Sequence, residues 1–168
     1  KVSFTSQEGA TATATAPYQL TDCDKLKFDP QMTAKVTGSK TNPGFQTQIR
    51  GADGDSTLRD TELTLPGGLT VAGTKALGLA CREGDYAAGN CKDTSVVGNV
   101  RAETSLLPLP LTGPVTLVKP DNDILPGLAV KLRGAINFDL FIKNRVEPGT
   151  GRLTSVIAGV PDSPISNF

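Results

Sequence analysis

The stretch LAVKLRGAINFDLFI, residues 128–142, decides how this chain is read. Leu128, Val130 and Leu132 alternate with Ala129, Lys131 and Arg133. Ile136, Phe138, Leu140 and Ile142 alternate with Asn137, Asp139, Phe141 and Lys143. Successive side chains on a strand point to opposite faces, so a period of two marks half-buried β-structure. Two such runs joined at a glycine predict a hairpin. A two-residue turn at Gly134-Ala135 would set Leu132 against Asn137 and mix polar with apolar partners. A three-residue loop, Gly134-Ala135-Ile136, shifts the register by one. Leu132 then faces Phe138, Val130 faces Leu140 and Leu128 faces Ile142. On the opposite face Lys131 meets Asp139 and Ala129 meets Phe141. Only this register makes every pair compatible, and a one-residue slip would undo all of them. It predicts a structural ion pair between Lys131 and Asp139.

The same period recurs on either side. TATATA (residues 11–16), Thr61–Leu65 and Val96–Ala102 all alternate. Turn signals separate the runs: NPG at Asn42, GADGD at Gly51, PGG at Pro66, KPDND at Lys119 and EPGTG at Glu147. Short strands at fairly regular spacing indicate an all-β, antiparallel β-sandwich of immunoglobulin-like or jelly-roll-like type. One stretch, Gly73–Tyr86, is rich in Ala and Leu and predicts a short helical insertion. Residues 105–120, SLLPLPLTGPVTLVKP, are apolar yet carry four prolines. Pro108 and Pro110 remove ladder donors from one side only. That predicts a blunted edge strand with Leu107, Leu109 and Leu111 facing the core, bent near Gly113-Pro114.

A chain of 168 residues has room for one sizeable core, so residues 1–168 are read as a single domain, one module or fragment of a longer chain. Its 17 basic and 17 acidic side chains cancel and are scattered, which gives no footprint for nucleic acid. No apolar run approaches the roughly 20 residues of a membrane span. Histidine is absent, and with it the commonest general base and transition-metal ligand. There is no phosphate loop, G-x-S-x-G elbow or C-x-x-C motif. The reading is therefore of a chain that is not an enzyme, with no catalytic residues, metal ligands or cofactor.

Three cysteines are present: Cys23, Cys81 and Cys91. Cys81 and Cys91 bracket a polar, glycine-containing loop, CREGDYAAGNC, and are expected to form a disulfide rather than remain two free thiols. Such a closure contributes roughly 3 kcal/mol by chain entropy and implies an oxidising compartment. Cys23 is left as an unpaired or inter-module cysteine.

Several acidic positions invite a ligand reading. Asp53, Asp55 and Asp60 lie in DGDSTLRDTE, where calcium would take oxygen ligands at alternating positions. The spacing of a calcium loop is missing, and a solvated hairpin tip is the better description. Asp121, Asn122 and Asp123 are read as an Asx-type turn. Asp139 interrupts an apolar strand, but no second carboxylate is placed to make a catalytic pair.

The segment ACREGDYAAGNCKDTSVVGNVRAETSLLPLPLTGPVTLV, residues 80–118, resembles a module of long, secreted, tandem-repeat proteins of actinobacteria. The shared pattern is cysteine, a loop of small residues, cysteine, S-V-V-G, then L-L-x-x-P-L-x-G-P-V-Y-L-V, with Thr116 at the tyrosine position. LPGLAVKLRG (125–134), VPDSPISNF (160–168) and FTSQEGATATATAPYQLTDC (4–23) are similar to its flanks. The resemblance implies a surface location and repetition, and it gives no catalytic residues to carry over. Together with the KVSFTSQEG and PISNF ends, it leads to the expectation of an excised or mature segment of a larger secreted protein. The expected function is structural: a cell-surface or fibre-forming module, extracellular, associating with neighbouring copies in filaments or adhesion. The alternative is a module binding carbohydrate or another surface ligand, such as a surface glycan. The absence of Trp weakens that alternative, because sugar platforms favour exposed rings.

Overall fold

The computed structural model describes residues 1–17, 21–39, 42–67, 73–122, 124–160 and 165–168, without the side chains of Cys23, Asn42, Gly73, Thr74 and Ile165. Asp123 of the PDND turn, residues 18–20 and 161–164 of the flanking resemblance, and the thiol of Cys23 therefore lie outside the described set.

The chain is all-β with short helices, and its main body is a large, curled, sandwich-like antiparallel sheet. The strands are β1 (Val2–Thr5), β2 (Thr11–Ala14), β3 (Gln31–Ser39), β4 (Asn42–Arg50), β5 (Thr61–Thr64) and β6 (Cys81–Arg82). They continue with β7 (Val96–Thr104), β8 (Leu111–Lys119), β9 (Gly127–Leu132), β10 (Phe138–Val146), β11 (Leu153–Ile157) and β12 (Ile165–Asn167). The helices α1 (Gly73–Leu79) and α2 (Glu83–Ala87) flank β6, so the predicted helical stretch is real but broken by a two-residue strand. The order across the sheet is β3-β4-β12-β7-β8-β9-β10-β11-β5, while β1 and β2 form a separate hairpin. β6 runs parallel to β8 at Val118 and Lys119, beyond the point where β7 begins opposite Thr116.

The β9–β10 register is Leu132–Phe138, Lys131–Asp139, Val130–Leu140, Ala129–Phe141 and Leu128–Ile142. It is the register that side-chain compatibility selects. The core follows from it. Val130, Leu132 and Leu140 are buried with Ala102 and Leu111, and Val100, Leu107, Val115, Phe138, Ile142 and Phe168 pack against them. The opposite face of the same strands carries Ala129, which is buried with Cys81, Tyr86 and Val118.

The proline segment corrects one expectation. Residues 105–110 are a loop between β7 and β8, and β8 lies in the interior of the sheet between β7 and β9. Leu111 is buried and Leu107 reaches the core, but Leu109 is 72% exposed. The physical reason lies at Thr104. Its carbonyl accepts from Leu107 N–H and its hydroxyl from Leu106 N–H, which turns the chain out of the ladder before Pro108. The last residues of β7, Glu103 and Thr104, then pair with β12.

Pro114 nevertheless sits inside a central strand. Thr112 and Arg133 exchange both backbone hydrogen bonds, so the next donating position toward β9 is 114, facing Lys131. Proline has no N–H to give there. The Lys131 carbonyl instead closes on Gly113, where any Cβ would lie 2.7 Å from that carbonyl carbon. Glycine is required at this close approach.

β3 and the start of β4 are a second correction. NPG reads as a turn, yet Asn42, Pro43 and Gly44 are paired with Ser39, Gly38 and Thr37 in the β3–β4 hairpin. Proline is tolerated because the outer side of β4 meets β12 only at its far end, near Arg50.

Candidate functional site

Four places concentrate chemistry or exposed apolar surface. The first is the disulfide-bounded lid. Cys81 and Cys91 are joined by a disulfide with their Cα atoms 5.4 Å apart. The bridge holds α2 against the sheet, and Ser95 Oγ adds a 2.8 Å hydrogen bond to the Leu79 carbonyl. Tyr86 projects from α2 over Ala129, with its ring edge-on to Phe141 at 5.6 Å between centroids. Lys131 Nζ lies 4.2 Å from the centroid of the Tyr86 ring and donates to the Tyr86 carbonyl at 3.2 Å. The Tyr86 hydroxyl is buried with no hydrogen-bond partner among the described residues. Burial, with the Asp139 charge as a second cause, pushes its pKa up to about 12.

This geometry corrects the expected Lys131–Asp139 ion pair. The two residues are opposite each other in register, but Asp139 pairs with Arg133 at 2.7 Å. Tyr86 arrives from the helical insertion and takes the space above Lys131, where the ring face and a carbonyl both attract its ammonium group. Arg133 lies diagonally from Asp139 on the same face and reaches it instead. Arg133 and Asp139 are each 44% exposed, so neither is held in an enclosed site.

The second place is the acidic loop. Asp53 and Asp55 lie between β4 and β5, strands that do not pair with each other, so the segment is a crossover and not a hairpin tip. Asp60 accepts from Gly159 N–H at 3.0 Å and from Arg59 at 2.7 Å, in that order the causes that hold its carboxyl below the usual range. Among the described residues, no three of Cys, Asp and Glu gather into a group that could hold a metal ion. Asp121 lies in an exposed turn and its N–H donates to Glu83.

The third place went unread in the sequence. Across β3–β4 the pairs Met32–Ile49, Ala34–Thr47 and Val36–Phe45 share one face. Ile49 exchanges both backbone hydrogen bonds with Phe168, which packs on the main core. The inner face of the sheet thus continues beyond the core into solvent. Met32, Val36 and Phe45 on it are 46%, 53% and 42% exposed. β3 is also an outer strand of the sheet, nine residues long, with no strand on its far side among the described residues. The signal was present: Met32, Ala34 and Val36 alternate with Thr33, Lys35 and Thr37.

The β1–β2 hairpin repeats the pattern. Its register pairs Val2 with Ala14 and Phe4 with Ala12 on one face, and Ser3 with Thr13 and Thr5 with Thr11 on the other. Every residue of both strands is exposed.

No helix among the described residues is long and apolar enough to cross a membrane. Comparison of the chain with protein-family models, curated proteins and solved structures gives no match.

Proposed function

We propose that the chain is a non-enzymatic structural module of a secreted or cell-surface protein, and that it associates with neighbouring copies of itself. One observation carries this reading: among the described residues the sheet ends in the long, open strand β3, beside an inner face on which Met32, Val36 and Phe45 are exposed. Such an edge is a template for pairing with another chain, and contiguous exposed apolar surface of this kind marks association sites. The Cys81–Cys91 disulfide supports an oxidising, extracellular setting. The likeness of residues 80–118 to modules of secreted tandem-repeat proteins supports repetition.

Sedimentation velocity of the whole chain over a wide concentration range tests the reading. Reversible growth in mass with concentration is expected. A chain that stays monomeric at every concentration refutes it.

A further inference from the structure

We infer that the β1–β2 hairpin of one copy covers the β3–β4 face of a second copy, and that the exchange is reciprocal. The inference rests on the self-associating reading above and names its contact.

A two-stranded hairpin standing alone in water is marginal at best. β1–β2 is such a hairpin, paired with no other strand among the described residues, and its Val2 and Phe4 are 54% and 58% exposed. Its two faces differ sharply. Val2, Phe4, Ala12 and Ala14 form an apolar side without a charge, and Ser3, Thr5, Thr11 and Thr13 form a hydroxyl side. This is the pattern of a strand pair that packs one side on another sheet and leaves the other in water.

The β3–β4 face has the opposite deficit. It extends the inner face of the core through Phe168 and Ile49, where Phe28 and Leu58 line a shared depression, to Met32, Val36 and Phe45, which no second layer covers among the described residues. Met32, Ala34, Val36, Phe45, Thr47 and Ile49 carry no charge themselves, and Asp29 and Asp55 line a depression at the Ile49 end of the face. One surface is a layer without a floor, and the other is a floor without a layer.

The hairpin does not lie on its own β3–β4 face, since both surfaces are exposed in the same molecule. The area favours exchange between two copies. The hairpin presents Val2, Phe4, Ala12 and Ala14, a small share of the roughly 20–30 residues that each side of a specific interface contributes. Reciprocal exchange uses two such contacts about a two-fold axis and doubles the buried area.

The test uses the full chain with Cys23→Ala, so that introduced thiols report alone. Chains carrying Phe4→Cys are mixed with chains carrying Val36→Cys under mild oxidation, while the Cys81–Cys91 bridge is left intact. A covalent dimer that needs both substitutions is expected. Phe4→Ser and Val36→Ser, both on exposed positions, should each weaken self-association about tenfold or more, with circular dichroism unchanged. Association that persists undiminished in both serine variants overturns this contact and leaves the module reading standing. A bridge formed within one chain carrying both cysteines, in monomeric material, shows intrachain docking and overturns the exchange. A wild-type chain that never self-associates overturns both readings.

Discussion

The ammonium of Lys131 lies 4.2 Å from the ring centroid of Tyr86, although Asp139 stands directly opposite Lys131 in the ladder. The carboxylate is taken by Arg133. Double-mutant cycles should therefore separate the two basic residues. Arg133→Ala with Asp139→Ala should show a coupling of about 0.2–1 kcal/mol, the range of a half-exposed pair. The Lys131–Asp139 cycle should show less. Urea denaturation of the single and double variants measures both, and a larger coupling for Lys131 would contradict the arrangement.

Tyr86 predicts a stability change at alkaline pH. Its folded pKa of about 12 stands above the ordinary value of 10.0. Below pH 10 the phenol is neutral in both states and adds no slope. As pH rises from about 10 toward 12, the unfolded chain loses the proton first, so stability falls across that window. The loss is on the order of 2 kcal/mol by the unit conversion for a pKa shift. Tyr86→Phe removes this titration. Because the hydroxyl has no hydrogen-bond partner among the described residues, the variant should cost little at pH 7. Equal alkaline slopes for the two proteins would exclude Tyr86 as the cause.

The disulfide closes a sequence separation of 10 residues and ties α2 to the sheet. Replacing both Cys81 and Cys91 with Ala should cost about 3 kcal/mol, chiefly through the freer unfolded chain. Hydrogen exchange should localise the structural part. Amides of α2 and of the turn before β7 should lose protection, while the β9–β10 amides keep theirs at matched global stability. Uniform loss across both regions would mean that the bridge does not act locally on the lid.

How much of this was legible before the structure depends on where the deciding information lies. The β9–β10 register was legible because both strands alternate and only one pairing satisfies every cross-strand contact. The partner of Asp139 was not, because Tyr86 reaches Lys131 from 45 residues away. A register fixes which residues are opposite and leaves open what else occupies the space above them. The proline run failed for a related reason. Alternating Leu and Pro at 107–111 suits an edge strand locally, but the hydroxyl and carbonyl of Thr104 draw the chain into a loop first. β3 was hidden by NPG, whose proline is accommodated only because β4 has an open side. The hairpin faces depend on which strands lack a neighbour, and strand order across a sheet is a property of the whole chain.

The close approach at Gly113 gives the sharpest test of the central sheet. Pro114 cannot donate to the Lys131 carbonyl, and that carbonyl fills the space where a side chain at 113 would begin. The obstacle is backbone on a strand fixed by pairing on both sides, between β8 and β10, so it cannot rotate away. Gly113→Ala should therefore destabilise the protein by about 3 kcal/mol or more. Gly78 is the matched control. It lies in α1 and a Cβ there meets nothing within 4 Å. Gly78→Ala should be neutral or stabilising by up to about 1 kcal/mol, since alanine loses less backbone freedom on entering a helix. Urea denaturation of the two variants beside the parent chain measures the contrast. A Gly113→Ala variant as stable as the parent would show that β8 and β9 do not approach this closely, and that the carbonyl of Lys131 is directed elsewhere.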